Sequence, residues 1–217
     1  MLNKPKPSRG RPRSFDRDNA LEIALQLFWQ FGYEGVSIAQ LSAMMNINAP
    51  SLYAAFGSKE QLYQEVVQLY GHKYAVLLSA PLQAAGPVRE ALRNTLYAAA
   101  RSFSCTGNPP GCLFASGMLR SANEHAGAAQ LCAKQRELAL QAITQRIEQA
   151  QQQGEIPPSS NSRALASLYA AVIQGMSVQA IDGASFTQLC ELADAAMLVW
   201  PNPTDEHSHG LASAHPE

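Results

Sequence analysis

The sequence predicts an all-α protein, in which an N-terminal three-helix unit with a helix-turn-helix precedes a helical second domain. Three observations predict it. Apolar residues recur every three or four positions along most of the chain, the period of a helix face, and no strand-like pair interrupts them. The helix starts between residues 37 and 61 are spelled in N-cap residues. Two of those helices are short and separated only by Asn46-Ile47-Asn48, the spacing of a helix-turn-helix.

Residues 1–14, MLNKPKPSRGRPRS, hold three prolines, a glycine and five basic residues, so a flexible basic arm is expected there. Ala20, Ile23, Ala24, Leu27, Phe28 and Phe31 share one face of a helix over 17–32, with Gly32 as its stop. Ser37 and Gln40 make a capping box for helix 38–45, with Val36 stapled onto Leu41. Asn46 closes that helix in the left-handed conformation. Asn48 caps helix 49–56, with Pro50 in the first turn, where no amide donor is needed, and Ile47 and Leu52 as its staple. Ser58 and Gln61 make a second capping box for a helix from 59 to about 79. Past Pro81 the pattern predicts helices 88–103, 112–121, 124–153, 162–181 and 186–199. They are separated by Gly107, Pro109 and Pro110, by Gly154, Pro157 and Pro158, and by Asp182-Gly183. The domains expected are the arm (1–14), the helix-turn-helix unit (15–60), a helical effector-binding and dimerisation unit (61–200) and a disordered polar tail (201–217).

Composition narrows the function. Hydrophobic residues make up 47% of the 217 and charged residues 15%, which excludes a disordered chain. No apolar run approaches the roughly 18 residues of a membrane span, and the basic N-terminus lacks the apolar stretch of a secretory signal, so no membrane partner is expected. Four scattered cysteines (Cys105, Cys112, Cys132 and Cys190) do not make a disulfide framework, and a cytoplasmic location is expected. Residues 1–59 hold seven basic against four acidic residues, +3, and the remainder nine against thirteen, −4. A basic front on an acidic body suits a polyanion met by the front; a solvated basic tail gives the same count. The sequence holds no Gly-rich phosphate loop, metal-ligand cluster or Ser/His/Asp pattern in a recognisable context. Neither enzymatic activity nor a cofactor or metal is expected.

In a helix-turn-helix the second helix enters the major groove. Here Leu52 and Phe56, four apart, face inward, which leaves Ala49, Pro50, Ser51, Tyr53 and Ala54 outward. Small residues admit close approach to DNA, alanine methyls meet thymine methyls, and Ser51 hydrogen-bonds a base or phosphate. Tyr53 donates to a phosphate. Lys59 joins its charge to the free amides of a helix start, and Ser37 does the same across the groove. Asn48, the cap between them, completes this DNA-binding set.

These residues carry a resemblance. The stretch from Phe15 to about Leu69 resembles the DNA-binding domain of the TetR/AcrR family of transcriptional regulators, through ALQLFWQFGYEGVSIAQLSAMMNINAPSLYAAFGSKEQLY and above all Leu27-Phe28, Gly32-Tyr33, Ser37-Ile38 and Leu52-Tyr53-x-x-Phe56-x-Ser58-Lys59-Glu60-x-Leu62. The family's usual glycine in the turn is Asn46 here. Residues 80–200 match in architecture only. The resemblance implies an all-α homodimer that represses transcription from a palindromic operator on double-stranded DNA. It also implies release by a small molecule bound in the C-terminal domain.

Other features carry open readings. Arg9-Gly10-Arg11-Pro12 looks like an AT-hook core, so Arg9, Arg11 and Arg13 either occupy an A·T-rich minor groove or form a plain basic tail. Helices 162–181 and 186–199 read as a hairpin that either completes a four-helix bundle with a second copy, through Ala166, Ala170, Gly175, Ala193 and Ala196, or packs within its own subunit. Tyr97, Phe103, Phe114, Met118, Tyr169 and Gln174 are effector-contact candidates that read equally as core. Few charges accompany them, which favours a neutral or apolar effector. Cys105 and Cys112 flank a Gly/Pro loop, either as a thiol switch aided by Arg101 or as two small apolar side chains. His207, His209 and His215 read as a solvated tail. The function expected is a ligand-released transcriptional repressor. A thiol-based redox or electrophile sensor on the same scaffold and an architectural A·T-rich DNA binder are the alternatives.

Overall fold

Capping residues set the first four helices. In this computed structural model, which describes residues 15–117 and 125–201, Asp16 accepts the Asn19 amide at 3.0 Å and starts α1, Arg17–Gly35. Gly32 (φ 72°) breaks the helical path of α1 as its position predicts, and a last turn follows it. Ser37 and Gln40 close both halves of the capping box on α2, Ile38–Met45. Asn46 (φ 55°, ψ 44°) ends α2 in the left-handed region. Asn48 accepts the Ser51 amide at 2.8 Å and starts α3, Ala49–Phe56. Ser58 accepts the Gln61 amide at 3.1 Å and starts α4, Lys59–Tyr70.

Leu25, Phe28, Leu41, Leu52 and Phe56 are buried in the N-terminal head, against Leu62 and Tyr63 of α4. Phe28 meets the Tyr63 ring edge-on at 5.1 Å, which fixes α1 against α4.

The run from residue 59 is longer and less regular than its sequence predicts. After α4 comes one π-helical turn, Gly71–Ala75, and then α5, Val76–Gln83. Pro81 lies inside α5 instead of ending the run, because the helix stops two residues later and little ladder is lost. The extra residue in the π-turn stacks Tyr70 on Tyr74, 5.3 Å apart, and Trp29 of α1 meets both rings at 4.9 and 4.8 Å. Lys73 of the turn pairs with Glu22 of α1, which raises the lysine pKa.

The body is built on α6, Val88–Phe103, whose Leu92, Leu96, Ala99, Ala100 and Phe103 are buried. Around it pack α5, α8 (Ala126–Gln152), α9 (Ser162–Ile181) and α10 (Phe186–Met197). The predicted helix 112–121 is corrected at its end: α7 spans only Leu113–Ser116, because Gly117 (φ −69°, ψ 130°) is extended, and residues 118–121 lie outside the described residues. Gln151 ties the Gly/Pro loop after α8, donating to the carbonyls of Pro157, Pro158 and Ser160 at 3.2, 2.7 and 3.0 Å.

Two expectations for α9 and α10 change. Ser162–Ile181 is long and apolar enough to cross a membrane by length and composition, contrary to the sequence expectation. Here it lies against α6, α8 and α10, with Tyr169 and Met176 in the core. Ala166 and Ala193, expected between copies, are buried inside their own subunit, because they fall on the faces turned to the neighbouring helices.

Candidate nucleic-acid interface

The recognition helix α3 buries Leu52 and Phe56 and leaves Pro50, Ser51, Tyr53 and Ala54 exposed, with Ala49 half-buried. Four of the five residues expected to face outward do so, and Ala49 is half-buried at the helix start. Asn48 is exposed but its side-chain oxygen is committed to the Ser51 amide, so it shapes the helix start. Ser37 is exposed too; its oxygen accepts the Gln40 amide and its hydroxyl proton can be donated outward.

Lys59 is half-buried. Its Nζ lies 4.3 Å from the centre of the Tyr33 ring, and Tyr33 is buried. Burial lowers the lysine pKa, opposed by the Glu34 carboxylate. Ser58 caps α4, but the second capping box is only half formed. The Gln61 side chain lies under Gly57, where a methyl group would meet its Oε1 at 1.9 Å. Gly57 (φ 76°) is what permits that approach.

Arg9, Arg11, Arg13, Met118 and the tail histidines lie outside the described residues. The other effector candidates are dispersed. Phe103 and Tyr169 are core, and Phe114 packs edge-on against Tyr70 at 4.8 Å. Gln174 is exposed. Tyr97 donates its hydroxyl to both oxygens of Asp194 at 2.8 Å, which raises its pKa. None of them lines the groove of about 440 Å³ between the α5–α6 loop and α8, or that of about 400 Å³ beside the end of α3.

The proposed thiol pair does not form a switch here. Cys105 is exposed, but Cys112 is buried and desolvation raises its pKa, which suppresses the thiolate that such chemistry needs. Arg101 lies over Phe186 instead, 5.4 Å from the ring centre.

Sequence reasoning missed three residues near the interface. Met44 projects from α2, 60% exposed, outside the inward pattern of Leu41 and Met45 that could have flagged it. Tyr33 supports Lys59, and Arg17 bonds the end of α3. No local spacing signals those last two contacts, since their partners are 26 and 38 residues away.

The profile described as bacterial regulatory proteins, tetR family, matches residues 20–66. The chain is 36% identical over 197 residues to the HTH-type transcriptional repressor ComR of Escherichia coli K12, covering 90% of this chain and 94% of ComR. It is 35% identical over 189 residues to the repressor BdcR of the same organism, covering 87% and 89%. A solved structure of a cysteine-substituted TetR-family regulator, CifR, with 26-bp double-strand operator DNA superposes with a TM-score of 0.83 at 34% identity, covering 88% of this chain and all of that one. This chain belongs to the TetR family of bacterial transcriptional regulators.

Proposed function

We propose that the chain is a homodimeric repressor that binds a palindromic operator through α3 and leaves it when a small molecule occupies the helical body. One observation carries the reading. The outward face of α3 carries Pro50, Ser51, Tyr53 and Ala54 with no charged side chain, and the helices before and after it, α2 and α4, both start on side-chain caps, the latter with Lys59 in its first turn. ComR and BdcR are repressors by name, and the CifR neighbour holds operator DNA; both support the same role here. Ser37, Asn48, Ala49, Pro50, Ser51, Tyr53, Ala54 and Lys59 form or shape the reading surface, with Arg9, Arg11 and Arg13 in the adjacent minor groove. The protein works in the cytoplasm, without enzymatic activity.

The working division is the arm (1–14), the head (15–60), the body (61–200) and the tail (201–217). Dimerisation uses 162–200. There α9 presents an exposed stripe of Leu168, Ala171 and Val178 around a half-buried Gly175, where a methyl group would meet only open space. The effector is neutral or apolar and enters among Tyr97, Phe103, Phe114, Met118, Tyr169 and Gln174 by opening the closed core. It favours a state whose two recognition helices no longer match successive grooves.

The test is selection of bound fragments from a random duplex library at near-physiological salt. A two-fold symmetric motif is expected. Asymmetric enrichment of A·T-rich tracts would replace the reading with an architectural one, and no enrichment would reject operator binding.

A further inference from the structure

We infer that Arg17 is a positioning residue for operator reading, one that sets the tilt of the recognition helix by gripping its last turn and does not itself touch DNA. The inference rests on the DNA-reading role proposed above. Helix α3 spans Ala49–Phe56 and buries only Leu52 and Phe56. Two anchors on one face fix its depth but leave rotation about the line between them weakly held. Asn48 secures the first turn. Arg17, at the start of α1, secures the last.

Its Nε donates to the Ala55 carbonyl oxygen at 3.3 Å. Its Nη2 meets Glu65 Oε1 of α4 at 2.6 Å. The guanidinium carbon lies 4.6 Å from the centre of the Phe56 ring, whose edge contact with Phe15 is at 6.2 Å.

The chemistry suits arginine in particular. The Ala55 carbonyl is among the last of α3, which no helical amide satisfies and where the helix dipole is negative. Only a planar fork can serve a carbonyl, a carboxylate and an aromatic face together. The Glu65 carboxylate also occupies the charge, so Arg17 is a poor phosphate ligand as it stands. An exposed ion pair adds little to stability. What these contacts supply is an angle, and a recognition helix reads bases only at the right angle.

The experiment measures affinity for the duplex motif selected by the wild-type protein and for a random duplex, across a salt series, with Arg17→Ala, Arg17→Lys and Glu65→Ala. For Arg17→Ala the operator-to-random affinity ratio should fall about tenfold, the scale of one mismatched base pair, with random-duplex affinity and salt slope unchanged. Glu65→Ala should shift the ratio the same way, although deleting an acid near a polyanion would by charge alone tighten both duplexes. Arg17→Lys should restore part of the ratio. Equal weakening on both duplexes with a slope lower by about one would make Arg17 a phosphate contact and overturn the inference. So would an unchanged ratio in Arg17→Ala, or equal tightening of both duplexes by Glu65→Ala with the ratio unchanged. If Arg17→Ala fails to fold, Arg17→Lys and Glu65→Ala decide the same question. A wild-type protein that does not distinguish the two duplexes would instead reject the DNA-reading role, and the inference with it.

Discussion

The Lys59 ammonium rests on the face of the Tyr33 ring, 4.3 Å from its centre, at the first turn of α4. The buried ring gives the lysine a rigid platform beside the free amides of the helix start. The charge is thus held where a phosphate would meet both. Lys59→Ala should weaken binding to every duplex and reduce the salt slope by about one unit. Tyr33→Leu keeps the charge and removes the platform, so affinity should fall less and the slope should hold. Anisotropy titrations across salt separate the two, and an unchanged slope in Lys59→Ala would place the phosphate contact elsewhere.

The turn between α2 and α3 depends on one backbone conformation. Asn46 sits at φ 55°, ψ 44°, where asparagine is tolerated and β-branched residues are strained. Asn46→Gly should leave thermal stability unchanged or raise it, while Asn46→Val should cost about 1–2 kcal/mol. Operator affinity should follow, because the angle between α2 and α3 is set there. Thermal melts alongside titrations check both, and a neutral valine would show that the turn can re-form in another conformation.

The head was legible because its helices are short and begin with chemistry that is local. Asn48, Ser37 and Asn46 act on amides or dihedrals within three residues, so the bounds of α2 and α3 follow from the sequence alone. The π-turn was not legible, since one extra residue between two helical runs leaves the apolar pattern nearly intact. The Gln61 side chain was misassigned because its place is decided by Gly57, on the other side of the cap. The described effector candidates are dispersed for a different reason. An aromatic residue at helical spacing is core by default, and Tyr97 finds its partner Asp194 97 residues away.

Alkaline pH should loosen the buried core. Burial raises the pKa of Cys112 and Cys132, and it pushes Tyr169 up to about 12. A group whose folded pKa is raised holds its proton longer when folded. Its contribution is complete below the unfolded pKa and drains as pH climbs toward the folded one. Loss should therefore begin near the ordinary thiol value of about 8.5 and continue above about pH 10 through Tyr63, Tyr70 and Tyr169, all raised by burial. Tyr169→Phe should flatten the upper part, by on the order of 2 kcal/mol. Urea midpoints from pH 7 to 12 check this. A flat profile would mean these groups ionise with little penalty, so that the core admits water.

The exposed stripe on α9 is the most economical place to break the assembly without breaking the fold. Leu168 and Val178 are 40% and 47% exposed, and between them a methyl group at Gly175 would find no neighbour within 4 Å. A partner helix can approach closely there, and burying an aspartate in that contact would leave its charge unpaired. Val178→Asp should yield a monomer by sedimentation with unchanged helical content. It should lose operator binding while half-site affinity stays low, because two linked heads bind with far higher effective concentration than one. Ala166→Asp is the control that separates interface from core, since Ala166 faces inward and its replacement should unfold the body. A dimer that survives Val178→Asp would move the interface off α9. Leu198 and Val199, 84% and 57% exposed just beyond α10, are the next apolar surface to test.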